Sequence, residues 1–168
     1  MTFKAGEYVA HANYGVGQII GIEKIQYLGN EPRPYYIVAI DNGTMWVPVE
    51  ETVVNRIRAI TSKDDLPKYR EILISPPVPF NHDRYKRRCD YIEHLKQGSF
   101  QALCEVVRDL TAQRHQKTLN ENDSSTLQKC VDRLTREWSM SAGISLHDAS
   151  MEIQSLLSQD QKGIAITQ

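Results

Sequence analysis

The spacing of apolar residues changes near residue 60. Before that point, short runs of β-branched and aromatic residues alternate with glycine-containing turns, which predicts strands. The predicted strands cover residues 7–11, 16–27, 35–40, 44–49 and 56–60. Asp41-Asn42-Gly43 predicts a tight hairpin, and Pro48 predicts an edge strand because proline cannot donate to a sheet ladder. The pattern favours a small, strongly curved β-barrel.

After residue 60, apolar residues recur at helical spacing. A helix is predicted at about 62–74, another at about 82–96, and three more capped by Ser99, by Asn120 with Asp123, and by Ser145 with Asp148. Trp138 is predicted to be in the core of this helical region, on one stripe with Leu127, Val131 and Leu134.

The sequence therefore predicts an α+β chain of two domains. The predicted domains are a barrel domain over residues 1–75, which includes the short helix at 62–74, and a compact helical bundle over 81–168. Residues 76–80, rich in proline, are expected to form a stiff linker, since no helix continues through such a run. The polar end of the chain is predicted to fray from about residue 159.

Composition and charge narrow the function classes. The chain has 168 residues and no run of 18 apolar residues, so no membrane span is predicted. Its three cysteines, Cys89, Cys104 and Cys130, are odd in number and far apart. They are interpreted as buried thiols in a reducing compartment, which favours the cytoplasm. The net charge of −1 argues against an overall basic coat, so any DNA contact must come from a local patch or depend on a partner.

Motifs for catalysis or cofactor binding are weak. The glycines of Gly15-x-Gly17-x-x-x-Gly21 lie in strand-like sequence, whereas a phosphate-binding loop needs a helix behind it. The histidines lack the spacing of a helical zinc site, and no cysteine pair stands at ligand spacing. We therefore predict no catalytic residue, no metal and no cofactor, and the chain is not expected to be an enzyme.

The strongest charged motif is Arg84-Tyr85-Lys86-Arg87-Arg88, at the start of a predicted helix. At about 100° per residue, one arc of this helix is predicted to face the bundle, formed by Tyr85, Cys89, Ile92 and Leu95. The adjoining stripe consists of Arg84, Arg87, Arg88 and Tyr91. Cations at a helix N-terminus oppose the helix dipole, and phosphate contact would explain them. A solvated basic face is the alternative.

Trp46 is the second candidate. Alternation along its predicted edge strand places Val47 inward and Trp46 outward. An exposed tryptophan on such a strand predicts a protein-binding hot spot. The alternative is that Trp46 itself fills the interior of a barrel this small.

Several segments together resemble the CarD/CdnL family of bacterial RNA polymerase-binding transcription regulators, over nearly the whole chain. They are Phe3-Lys4-Ala5-Gly6, Tyr14-Gly15-Val16-Gly17, Ile22-Glu23, Tyr35-Tyr36, Val47-Pro48-Val49, Leu95-Lys96-Gln97-Gly98 and Val106-Val107-Arg108-Asp109-Leu110. The resemblance implies a Tudor-like barrel that docks on the polymerase β subunit and a helical domain at the upstream edge of the promoter bubble, where it stabilises the open complex. The barrel is shared with transcription-repair coupling factor, but the helical half is not.

The resemblance also implies two sets of site residues. The expected polymerase-binding residues are Lys24, Ile25, Gln26, Met45, Trp46 and Val47. The expected DNA-binding residues are Arg84, Tyr85, Lys86, Arg87, Arg88 and Tyr91. Arg84 stands where several relatives carry a wedging tryptophan, and Ile25 and Trp46 replace basic residues, so the docking surface is expected to be more apolar and less salt-sensitive than is usual in the family.

The partners implied are the RNA polymerase β subunit and promoter DNA, with the chain a monomer in the cytoplasm, associated with the nucleoid through polymerase. Two alternatives stay open from the sequence. One is a free-standing DNA-binding protein, and the other is an interaction scaffold for a protein other than polymerase.

Overall fold

The computed structural model describes residues 2–50, 57–79 and 81–165, with side chains described as far as residue 159. The chain divides into two compact units between Ile60 and Thr61. The first unit is made of strands and the second of helices, so the predicted α+β fold is confirmed.

The N-terminal unit is one antiparallel sheet of five strands in the described residues. The strands are β1 (Tyr8–His11), β2 (Gly15–Ile25), β3 (Arg33–Ile40), β4 (Gly43–Pro48) and β5 (Ile57–Ala59), in the order β4-β3-β2-β1-β5. Val47 of β4 and Ile57 of β5 lie on the two edge strands, yet both pack in the same core cluster as Val38. The sheet therefore curls on itself, as the predicted barrel requires.

The hairpin and the edge strand follow the sequence prediction. Ile40 pairs with Gly43 across a two-residue turn, and β4, which ends at Pro48, lies at an edge of the sheet. Arg56, the first residue of the last predicted strand, lies outside the described residues.

Gly17 has a structural reason to be glycine. An added Cβ would lie 2.7 Å from Cγ1 of Val38 and 2.9 Å from the carbonyl oxygen of Ala39. β2 continues through this point to Ile25 without starting a helix. The glycine therefore permits close packing against β3, and the strand interpretation of the motif is confirmed.

The C-terminal unit contains five α-helices in its described residues. They are α1 (Leu66–Ile74), preceded by a 3₁₀ turn at Lys63–Asp65, α2 (Arg84–Lys96), α3 (Phe100–Gln116), α4 (Glu121–Ala142) and α5 (Leu146–Ala165). Three predicted caps are confirmed. The Ser99 hydroxyl accepts from the Ala102 N–H at 3.0 Å, the Asn120 amide oxygen from the Asp123 N–H at 2.8 Å, and the Ser145 hydroxyl from the Asp148 N–H at 3.0 Å.

The predicted domain boundary needs a correction. Leu66 and Leu73 of α1 are buried in the same core as Phe100 and Trp138 of the helical unit. The short helix assigned to the barrel domain therefore belongs to the helical domain, and the boundary lies at residue 60, not 75. Leu66 and Leu73, about two helical turns apart, pack in the helical core, so they decide the domain of α1 although a proline run follows it.

The predicted linker is also part of the helical unit. The N–H of Val78 donates to Oδ1 of Asp109 at 3.0 Å. Arg108 donates to the Ser75 hydroxyl at 2.8 Å. The prolines keep this segment extended, but α3 holds it in place, so it is not a spacer between domains.

The structure also tests the predictions for the cysteines and for the end of the chain. Cys104 and Cys130 are buried as predicted, but Cys89 is exposed. α5 continues to Ala165, past residue 159 where fraying was predicted, and residues 166–168 lie outside the described part.

Among the described residues, no helix is long and apolar enough to cross a membrane, and no acidic, histidine or cysteine side chains group as metal ligands.

Candidate interaction surfaces

The first surface lies on the outer side of the sheet, around Trp46. Trp46 is 52% exposed, whereas its neighbour Val47 is buried, so the predicted orientation of the edge strand is confirmed. Trp46 pairs with Ile37 of β3, and Ile37 pairs with Gly21 of β2, so all three lie on one face. Because Gly21 has no side chain, the Ile37 side chain has free space beside it, 3.9 Å from where a Cβ would stand.

A second row of residues extends this face. Tyr35 lies opposite Pro48 on one side and Glu23 on the other, and the Tyr27 ring lies 6.5 Å from the Tyr35 ring. Ile25 lies on the same face, opposite Arg33. We call this surface the outer-face patch. Its apolar members are Ile25, Tyr27, Tyr35, Ile37, Trp46 and Pro48.

The structure separates the six residues expected to bind polymerase. Trp46 and Ile25 belong to the outer-face patch, and Gln26 is exposed just beyond the end of β2. Lys24 is exposed but on the other face of β2 from Ile25.

The remaining two expected residues face the barrel core. Met45 is half-buried and packs against the core cluster, and Val47 is part of that cluster. Val47 lies inward, as strand alternation predicted, so its side chain is not exposed for contact with a partner. Tyr35 and Ile37 were not predicted as site residues, because only the pairing of β3 with β4 shows that they flank Trp46.

The second surface is the start of α2. The Asp83 carboxylate caps this helix, accepting from the N–H groups of Tyr85 at 2.9 Å and Lys86 at 3.1 Å. This carboxylate offsets part of the unfavourable interaction between the following cations and the helix dipole. The exposed side chains in this turn are Arg84, Tyr85, Lys86 and Arg88, with Tyr85 78% exposed.

Two residues expected to bind DNA face the opposite way. Arg87 and Tyr91 are buried, and both contact the buried carboxylate of Asp123 in the first turn of α4. Arg87 donates to Oδ2 of Asp123 from Nε at 3.3 Å and from Nη2 at 3.0 Å, and the Tyr91 hydroxyl donates to Oδ1 at 2.6 Å. Burial and the Asp123 carboxylate raise the pKa of Tyr91 to about 12. Both side chains are buried and hydrogen-bonded within the fold, so the structure does not expose them for the DNA contact that was predicted.

The face of α2 that was predicted to pack on the bundle is largely exposed. Tyr85, Cys89 and Ile92 are exposed, and only Leu95 of that arc packs partly against the core. A second polar contact, between Nε2 of His94 and Oε2 of Glu105 at 2.5 Å, joins α2 to α3. The helix is therefore rotated relative to the prediction, with polar groups on its inner side.

Comparison with known proteins agrees with this architecture. A family model described as the CarD-like/TRCF RID domain matches residues 3–61, and a model of the CarD C-terminal domain matches residues 68–154. The chain belongs to the CarD family. The first match ends at residue 61, next to the division between the two units, and the second match includes most of α1 in the CarD C-terminal domain.

One curated relative has a related description. The chain is 29% identical to the Bacillus subtilis (strain 168) protein named "Putative transcription factor YdeB", over 149 residues that cover 85% of this chain and 94% of that protein. Family membership and this relative support a role for the CarD-family chain as a transcription regulator.

Proposed function

We propose that the protein acts in transcription initiation. Its N-terminal domain docks on the RNA polymerase β subunit through the outer-face patch. Its α2 helix contacts promoter DNA at the upstream edge of the bubble and stabilises the open complex. The observation that carries the proposal is Trp46, half-exposed on an edge strand beside Ile37 and Tyr35 in a chain of the CarD family. Exposed aromatic anchors of this kind dominate the energetics of protein interfaces.

Charge explains why docking and DNA contact belong together. With a net charge of −1 and three exposed cations in the first turns of α2, Arg84, Lys86 and Arg88, the free protein can make few phosphate contacts. Each contact adds only about −0.9 to the slope of log affinity against log salt. Polymerase docking would hold α2 near DNA at an effective concentration on the order of millimolar, which compensates for weak intrinsic affinity.

Stabilisation of the open complex follows from differential binding. Contacts that α2 makes only when the duplex is melted shift the equilibrium towards the open state. A preference of about 1.4 kcal/mol changes the open-to-closed ratio tenfold.

Replacing Trp46 with alanine is expected to weaken binding to the β subunit by more than about 1 kcal/mol, because it removes a large, half-exposed tryptophan from the patch. Calorimetric titration of the variant against the isolated subunit or holoenzyme measures this loss. Tyr14→Ala is the control, since Tyr14 is 61% exposed in the β1–β2 turn, outside the patch.

If a folded Trp46→Ala protein binds the β subunit with unchanged affinity, the outer-face patch is not the docking site. If wild-type protein does not bind holoenzyme at all but captures another protein, the interaction-scaffold alternative is correct.

Replacing Arg84 and Arg88 together with alanine is expected to leave polymerase affinity intact and shorten the open-complex lifetime about fivefold, equivalent to about 1 kcal/mol. The salt slope of this stabilisation should fall by about 1.8, since two phosphate contacts are lost. The measurement is decay of open complexes after challenge with competitor DNA, at several salt concentrations.

The control is Lys63→Ala/Lys68→Ala, which removes two exposed positive charges from the same unit away from α2. Equal open-complex lifetimes for Arg84→Ala/Arg88→Ala and wild type would mean that the start of α2 is a solvated basic face that does not contact DNA. Tight binding of the free protein to bare duplex at physiological salt would instead favour a free-standing DNA-binding protein.

A further inference from the structure

The helix α2 is held by an unusual kind of contact. Along α2, all of whose residues are described, the buried side chains are Arg87 and Tyr91, and neither is aliphatic. Both bond to one carboxylate, Asp123 of α4. Apolar packing is non-directional and tolerates rotation of a helix about its axis, whereas charge-assisted hydrogen bonds fix direction as well as distance.

The carboxylate that receives these bonds is itself held firmly. Asp123 is 2% exposed. Its Oδ2 accepts from Nδ2 of Asn120 at 3.0 Å, and its N–H donates to Oδ1 of Asn120 at 2.8 Å. Asp123 is thus tied into the N-terminus of α4 and presents both oxygens to α2 in a fixed orientation.

We propose that Asp123 is a positioning residue that sets the rotation of α2 and thereby directs Arg84, Tyr85 and Arg88 towards the DNA. The part of this proposal that concerns DNA rests on the proposed function. The part that concerns the rotation of α2 does not.

Helix geometry connects the buried carboxylate to the exposed residues. At about 100° per residue, Tyr85 lies roughly 160° around the helix from Arg87. Drawing Arg87 inward onto Asp123 therefore turns Tyr85 almost directly outward, which agrees with its 78% exposure. Arg84 and Arg88 lie about 60° and 100° from Arg87, both on the same side of it and between Arg87 and Tyr85, and both are exposed. Loss of the Asp123 contacts would leave α2 free to bury its other, more apolar arc.

The test replaces the polar cluster with apolar residues of similar size, Arg87→Met/Tyr91→Phe/Asp123→Leu. Such replacements of buried ion pairs commonly preserve folding. The variant therefore loses the directional hydrogen bonds between α2 and α4 but keeps the buried side-chain volume. Arg87→Gln/Asp123→Asn, a neutral pair of similar shape, serves in its place if the triple variant does not fold. Asp132→Leu is the matched control, since Asp132 is an exposed carboxylate on the same helix.

The orientation of α2 can be measured without DNA. Cys89 is exposed on α2, whereas Cys104 and Cys130 are buried, so a nitroxide can be attached at Cys89. A second nitroxide at Ser125→Cys, an exposed position on α4, gives the distribution of distances between the two helices by pulsed electron paramagnetic resonance. Open-complex lifetime and polymerase affinity are measured on the same variants in the full chain.

We expect the triple variant to show a shifted or broadened distance distribution, a lifetime about fivefold shorter, as for Arg84→Ala/Arg88→Ala, and unchanged polymerase affinity. The Asp132→Leu control should match wild type in all three measurements. A wild-type distance distribution in the folded variant would overturn the proposal. So would an altered distribution with wild-type lifetime, provided that Arg84→Ala/Arg88→Ala shortens it.

If Arg84→Ala/Arg88→Ala leaves the lifetime unchanged, the DNA contact in the proposed function fails. The distance distribution alone then decides whether Asp123 sets the rotation of α2: an altered distribution supports that role, and a wild-type one rejects it.

Discussion

Replacing Trp138 with alanine is expected to lower the free energy of unfolding of the helical unit by about 3–5 kcal/mol, the range for large aromatic-to-alanine changes in protein cores. Trp138 is fully buried, with its ring centroid 6.2 Å from that of Phe100. Its indole N–H donates to Oε2 of Glu152 at 3.1 Å, and the Arg70 guanidinium lies 5.6 Å from its ring centre. Removing the indole leaves a cavity and takes one of two donors from Glu152, whose other partner is Arg70 at 2.6 Å.

The measurement is denaturant unfolding followed by circular dichroism at 222 nm, which reports the helices. The control is within the chain, because Trp46→Ala removes the other tryptophan from a half-exposed position. That variant should change stability by no more than about 0.5 kcal/mol. Similar losses for the two variants would contradict the burial difference that separates a core tryptophan from a binding one.

Features set by local sequence were predictable. The Asp41-Asn42-Gly43 hairpin, the edge position of the strand ending at Pro48 and the three helix caps all depend on residues within a few positions of one another. The orientation of Trp46 is of the same kind, because strand alternation fixes it once Val47 is assigned inward. Short-range rules were therefore enough to identify the residue on which the docking proposal rests.

The buried face of α2 was not predictable in this way. Helical periodicity treats Tyr85 and Ile92 as candidates for burial and Arg87 as a surface residue. The deciding partner, Asp123, lies 36 residues from Arg87 along the chain, and the pattern within α2 carries no information about it. A signal was present but is ambiguous: Asp123 stands three residues after the cap Asn120, a position that a simple helix start also explains.

The other features that the sequence did not predict also depend on contacts between distant segments. The assignment of α1 depends on Leu66 and Leu73 reaching the helical core, and the role of Tyr35 and Ile37 depends on strand pairing. Each is a contact between segments distant in sequence, whereas the proline run that suggested the boundary at residue 75 is local. The sequence thus located both candidate surfaces but misassigned which side chains each one exposes.

Replacing Asp123 with alanine is expected to destabilise the helical unit by about 3–5 kcal/mol, because it leaves the buried Arg87 guanidinium without its counter-charge. The Tyr91 hydroxyl loses its hydrogen bond to Asp123 in the same variant, and Asn120 loses a partner at the N-terminus of α4. Thermal or denaturant unfolding at neutral pH measures the loss. Asp132→Ala, which removes an exposed carboxylate from the same helix, should cost no more than about 0.5 kcal/mol.

A double-mutant cycle separates the ion pair from the loss of side-chain volume. Arg87→Ala/Asp123→Ala should be less destabilised than the sum of the two single variants, by about 0.5–3 kcal/mol, since removing both partners leaves no buried charge unpaired. Additive losses would mean that the guanidinium finds water or another partner once Asp123 is gone. Orientation of α2 would then have to come from its contact with α3 through His94 and Glu105. A positive coupling energy would instead establish that the carboxylate and guanidinium stabilise one another inside the fold, which is the physical condition for a rigid α2.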